Sequence, residues 1–186
     1  MPLIWTPDYD DSNYPSVSIV NVKSLVGIPL ASGNPLTGKF PDGLSLLQDS
    51  GTVPPDFFYA GAMPVFSRRL RDALTQLKCK FESFELETSQ LVGDESFYFV
   101  NLLESLDCFD RQRSMFVERG GFATSISKLR LANIDHEIEP RVYRISKTIP
   151  ALTAVSDVSS TSIIEQGFTG FSLVKPENWM FARASR

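Results

Sequence analysis

The stretch that decides the fold is Phe97–Arg113, FYFVNLLESLDCFDRQR. Its first half, FYFVNLL, is an unbroken apolar run opened by Phe97, Tyr98 and Phe99, and such a run reads as a strand buried on both faces in the middle of a sheet. Its second half turns charged within a few residues and carries Asp107, Cys108, Asp110, Arg111 and Arg113. A central strand that empties into a loop of mixed charge is a place where sites are built.

Working outward, Phe81–Glu87 (FESFELE) alternates apolar and acidic residues, and Gly93-Asp94 turns the chain back into Phe97. Two strands joined by a short glycine-containing loop predict an antiparallel pair. Upstream, Ser67 is a sound N-cap, and Leu70, Ala73, Leu74 and Leu77 recur at helical spacing, which predicts a helix over Arg68–Lys78. Its polar face holds Arg68, Arg69, Arg71 and Asp72, read as a solvated face or one that docks a partner. Downstream, MFV leads to a turn at Gly120-Gly121, Leu129 and Leu131 begin a short strand, and residues 140–149 read as another strand. Ser156 caps a second helix over about Asp157–Gln166, stopped by Gly167, and Phe168–Val174 is a last strand closed by Pro176.

The N-terminal third reads differently. Residues 1–15, with Pro2, Pro7 and Pro15, look like an arm lying on the domain surface. Ser16–Val22 is a strand by its alternation, and Gly27–Pro55 is mostly loop, with Leu44, Leu46 and Leu47 as its anchor. The expected fold is therefore α+β: a mainly antiparallel sheet with two helices packed on it and a long Gly/Pro-rich N-terminal loop region. The expected organisation is an arm, strand and loop over 1–53 packed on an α+β domain over 54–186.

Composition narrows the function. The 186 residues suit one domain, and 42% hydrophobic content with 14 Phe supplies an aromatic core. A net charge of −4 and a pI near 5.1 argue against nucleic acid as a partner, because neutralising phosphates needs a basic surface. They suit a basic protein partner, as do the acidic groups Asp107, Asp110, Asp135, Glu137 and Glu139. Two separated cysteines, Cys79 and Cys108, predict neither a disulfide framework nor a zinc site. The opening MPLIWTPDYD has no basic n-region or apolar h-region, and no apolar run reaches the roughly 20 residues of a membrane span, so a cytoplasmic protein away from membranes is expected.

Catalytic patterns are missing where they would be readable. There is no GxGxxG, Walker A or Gly-x-Ser-x-Gly sequence. Asp107 and Asp110 form a carboxylate pair, but Arg111 and Arg113 beside them are the simpler partners. His136, the single histidine, sits in IDHEIE; neighbours on an extended chain point to opposite faces, so Asp135 and His136 do not share an ion. A nucleophilic pair of Cys108 with His136 remains open, since such pairs meet in space rather than in sequence. No cofactor, no metal and no catalytic residue is assigned. The leading reading is a non-enzymatic binding protein, the alternatives a small Cys/His-dependent enzyme or a non-catalytic adaptor domain.

Several blocks taken together point further: PPDFFYAG, PVFSRRLRDAL, YFVNLLESLDCFDRQRS, PRVYRISKT and VSDVSSTSIIEQGFTGFSLVKP. Their order and spacing, over roughly Pro54–Pro176, resemble the Imm-eleven family, a domain typed as immunity proteins of bacterial polymorphic toxin systems. The resemblance implies a cytoplasmic α+β protein, encoded beside a toxin, that binds this cognate toxin and protects the producing cell. It supplies no contact residues. The candidate partner-binding residues are therefore the charged ones singled out above: Asp107, Asp110, Arg111, Arg113, Asp135, Glu137 and Glu139. A homodimer is left open.

Overall fold

The computed structural model describes residues 1–8, 15–30, 32–135, 139, 141–149 and 151–179. In chain order its elements are β1 (Leu3–Pro7), β2 (Ser16–Ile19), β3 (Ser45–Ser50), β4 (Phe57–Ala60), β5 (Met63–Ser67), α1 (Arg68–Gln76), β6 (Phe81–Glu85) and β7 (Glu87–Gln90). There follow β8 (Phe97–Leu102), β9 (Ser105–Leu106), β10 (Met115–Arg119), β11 (Phe122–Lys128), β12 (Val142–Ile145), β13 (Thr148–Ile149), β14 (Thr153–Val155), α2 (Asp157–Glu165) and β15 (Phe171–Val174). With two α-helices among the described residues and mostly antiparallel sheets, the class is α+β, as expected.

The apolar run does what its composition requires. All six residues of β8 are buried, and the strand lies inside a four-stranded sheet of order β4-β5-β8-β6. Phe97 and Phe99 project to one face and Tyr98, Val100 and Leu102 to the other, so each face needs its own apolar cover. The expected antiparallel pair forms between β6 and β8, with Phe84 opposite Phe99. Each fully buried phenylalanine stabilises the sheet by about 2 kcal/mol.

A second sheet, of order β15-β1-β14-β12-β9, is also covered on both faces. Trp5, Val142, Val155 and Phe171 look towards the first sheet, while Ile4, Tyr143, Ile145 and Ala154 look away from it. The molecule is thus a stack. A middle core lies between the two sheets and takes Leu70 and Leu74 of α1 and Ile163 of α2. One outer core is closed by Val17, Leu36, Leu44 and Leu46 over the four-stranded sheet. The other is closed by the β10–β11 hairpin, through Ala123 and Ile126, with Cys108, Phe109, Leu129 and Trp179.

The helices follow their signals closely. Ser67 Oγ accepts the Leu70 amide at 3.2 Å and buries Leu70, Ala73 and Leu74 behind it. The helix stops two residues before Lys78, which takes a φ of +57° and lets the Cys79 amide return to the Leu74 carbonyl. Gly167 ends α2 with a φ of +61°, the left-handed C′ position expected of it.

Four expectations are corrected. Residues 1–15 are not simply a surface arm, because β1 is an inner strand with Ile4 fully buried and Trp5 nearly so; adjacent apolar residues on opposite faces need cover on both sides. Ser45–Ser50 is a strand rather than loop, paired antiparallel with β2 and parallel with β7. The strand after the Gly120-Gly121 turn is Phe122–Lys128, while Leu131 makes only an isolated bridge to Phe109. The single strand read over 140–149 divides into β12 and β13 around Lys147, whose φ is +58°.

Candidate functional site

The charged half of the opening stretch forms a corner below the β10–β11 hairpin. Cys108 and Phe109 are buried and pin it: the Ala132 amide donates to the Cys108 carbonyl at 2.8 Å, and Phe109 bridges to Leu131. Asp110 Oδ1 accepts the amides of Gln112 at 3.0 Å and Arg113 at 2.9 Å, a local turn closed by its own side chain. The Arg113 guanidinium, bonded to Oδ2, and these amides hold the Asp110 carboxyl below the usual range. Arg113 also reaches the Leu131 carbonyl at 3.2 Å.

Its neighbours are equally engaged. Asp107 pairs with Lys147 Nζ at 2.6 Å, both side chains more than half exposed. Arg111 donates to Glu118 Oε2 and to the Gly121 carbonyl, each at 2.6 Å, and lies 5.4 Å from the centre of the Phe116 ring. It therefore ties the corner to the hairpin's tip. Of the pairing expected among Asp107, Asp110, Arg111 and Arg113 only Asp110–Arg113 forms, while Asp107 goes to Lys147 and Arg111 to Glu118, so each charge is already answered inside the protein. Exposed pairs of this kind contribute about 0–1 kcal/mol.

The remaining candidates lie after Ala132. Asp135 is exposed, and its carbonyl accepts the Glu139 amide at 3.0 Å; Glu139 Oε1 accepts the Tyr143 hydroxyl at 3.1 Å. Glu137 and His136 lie outside the described residues. Cys108 is inside the core, and burial, followed by the nearby Asp107 charge, pushes its thiol up to about 12. Burial likewise pushes Cys79 up to about 11. A nucleophilic cysteine needs the opposite shift. Among the described residues no group of Asp, Glu, Cys and His is arranged to hold a metal ion.

A second ionic centre escapes a reading by local sequence. Asp56, just before β4, is buried and accepts five hydrogen bonds. Ser67 Oγ donates at 2.7 Å, Arg69 Nε and Nη2 at 3.2 and 2.6 Å, and the Thr169 amide and hydroxyl at 2.9 and 3.2 Å. Burial raises the Asp56 pKa, but these donors, Arg69 first, outweigh it and leave the carboxyl below its ordinary value. Arg69 extends the network to the Gln166 and Gly167 carbonyls at the end of α2. Beside it Gly170 has a φ of +92°, and a Cβ there would lie 1.9 Å from the Phe57 carbonyl oxygen. One carboxylate therefore joins PPDFF, the FSRR cap and the GFTG turn. The helix face read as solvated or docking is thus partly structural. The available signal was only the recurrence of polar residues at the borders of those three blocks.

A hollow lined by Gly43 and residues 85–89, and another lined by Ile163, Ile164, Phe168 and residues 171–173, open on the surface; neither is lined by a cysteine. Among curated proteins nothing matches the chain. The pattern of the Immunity protein family (Imm11) matches residues 11–173, a span that holds the Asp56 centre, the charged corner and the hairpin. With most of its length covered, the chain belongs to the Imm11 immunity protein family.

Proposed function

We propose that this protein neutralises a cognate toxin by binding it stoichiometrically in the cytoplasm of the cell that makes both, so that the toxin's active site is covered or held inactive. Family membership over residues 11–173 is the observation that carries this reading. A binding role also accords with the raised thiols of Cys79 and Cys108, which are unsuited to nucleophilic chemistry. No described helix is long and apolar enough to cross a membrane.

We place the toxin contact on the side of the molecule that carries the corner at Asp107, Asp110, Arg111 and Arg113. Those charges have internal partners, and Arg111 is the one that holds the hairpin, through Glu118 and Gly121. Asp135, Glu137 and Glu139 stay as further proposed contacts, Glu137 lying outside the described residues. The test is co-expression of the toxin encoded beside this protein, with and without it. Survival only in its presence, with a complex of one copy of each on gel filtration, is the expected result. Equal killing in both cultures and no complex would overturn the reading.

A further inference from the structure

We propose that the outward face of the sheet β10-β11-β13 is where the toxin docks, and that the toxin presents there an apolar surface flanked by acidic side chains. This rests on the function proposed above and gives it a location.

The register of the strands defines the face. Opposed residues share a side of a sheet, and the pairs Arg119–Phe122, Val117–Thr124 and Met115–Lys128, with Ile149 beside Thr124, all lie on one side. The opposite side, with Ala123 and Thr148 paired and Ile126 near them, is buried against the second sheet. On the outward side Met115, Val117, Phe122 and Ile149 are 61, 48, 43 and 51% exposed. Four large apolar side chains on one small three-stranded sheet make a contiguous patch, and such patches mark interaction surfaces. β10 is also an outer strand of that sheet, and among the described residues no strand pairs with its other edge.

Charge selects the occupant. Arg119 and Lys128, the charged residues of this face, are exposed, and neither has an ionic partner among the described residues. The acid of β10, Glu118, is opposite buried Ala123 and is held by Arg111. The face is therefore apolar and cationic, although the chain as a whole carries −4. Local charge, not the total, steers a docking partner, so the acidic partner replaces the basic one that the net charge suggests. A second copy fits less well: a two-fold interface would set this face on itself and bring Arg119 and Lys128 of both copies together. The Arg111 bonds to Glu118 and Gly121 hold the hairpin in place before the partner arrives, which reduces the ordering cost of binding.

The experiment measures the affinity of the purified toxin encoded beside this protein for the full chain and for three variants. Val117→Glu with Phe122→Glu is expected to weaken binding by at least about 100-fold, as loss of a central apolar anchor does, and to abolish protection. Val117→Thr with Ile149→Thr keeps good strand formers and guards against loss of fold; it is expected to weaken binding about tenfold with melting unchanged. Arg119→Ser with Lys128→Ser is expected to slow association and flatten its salt dependence. Wild-type affinity in all three variants would overturn the location while leaving the proposed function standing. Wild-type protein that neither binds nor protects would instead overturn the function. Variants that lose only self-association, or only binding to vesicles of anionic phospholipid, would assign the face to a second copy or a membrane and sink the proposal.

Discussion

Asp56 and Asp110 use the same chemistry and do different things with it. Each carboxylate takes an arginine and at least one backbone amide, and each lies below the ordinary carboxylate range. Asp110 bonds to residues two and three positions ahead, so it shapes one turn. Asp56 reaches partners 11, 13 and 113 positions away, so it closes the chain on itself and joins β4, α1 and the approach to β15. Reach along the chain, rather than the strength of any one bond, separates a charge that holds a fold from one that dresses a loop.

The largest effect that tests this contrast is expected beside Asp56 rather than at it. Gly170→Ala places a methyl group into the Phe57 carbonyl at a left-handed φ, so a loss above about 4 kcal/mol is expected. No cooperative melt should then survive at 37 °C; a melting point within a few degrees of the parent would show that the loop can retreat and the centre is not rigid. Next, Asp56→Ala should cost about 3 kcal/mol, since it strands the buried Ser67 hydroxyl and takes the partner from the Thr169 amide and from Arg69. Denaturant unfolding checks it, and a cost no greater than that of Asp110→Ala would dissolve the contrast.

A pH experiment sharpens it. Glu82 joins the N-terminal loop to β6: its carboxylate accepts the Leu36 amide at 2.7 Å, the Thr37 amide at 3.0 Å and hydroxyl at 2.5 Å, and Asn101 Nδ2 at 3.0 Å. Burial opposes ionisation, but these donors win and lower its pKa from 4.5 to about 2. A lowered folded pKa means stability present above the unfolded value and lost as pH falls through the folded one. Stability should therefore decline between about pH 4.5 and 2, and Glu82→Gln should flatten that decline; an unchanged slope would remove Glu82 from the account. The smallest effect is expected at the corner. Asp107→Ala with Asp110→Ala should lower Tm by only about 4 °C or less and leave protection largely intact. Full loss of protection with an unchanged melt would make those carboxylates toxin contacts.

What was legible in the sequence follows the same divide between local and distant. The run FYFVNL, the Ser67 cap and the Gly167 stop act within a few residues, and the structure places them as expected. β1 was hidden because Pro2 and Pro7 bracket an apolar pair whose covers, Val155 and Phe171, come much later. β11 was hidden by its own irregularity: register shifts between Met115 and Val117, Ser125 adopts a φ of +46°, and the inward residues Ala123 and Ile126 fall three apart instead of two. Asp56 carries no local sign that Thr169 is its partner. The proposed docking face was unreadable for a related reason, since Ile149 joins Val117 and Phe122 only through strand pairing.

The place of β1 also bears on the order of events during synthesis. Ile4 pairs with Ala154 on one side and Val174 on the other, so this strand waits for partners made about 150 residues later. At roughly 5–20 residues per second the interval is on the order of ten seconds or more. Through it Ile4 and Trp5 have no sheet to enter, and both cores that they help to fill stay open. On the function proposed, protection should then begin only after the ribosome has passed β15.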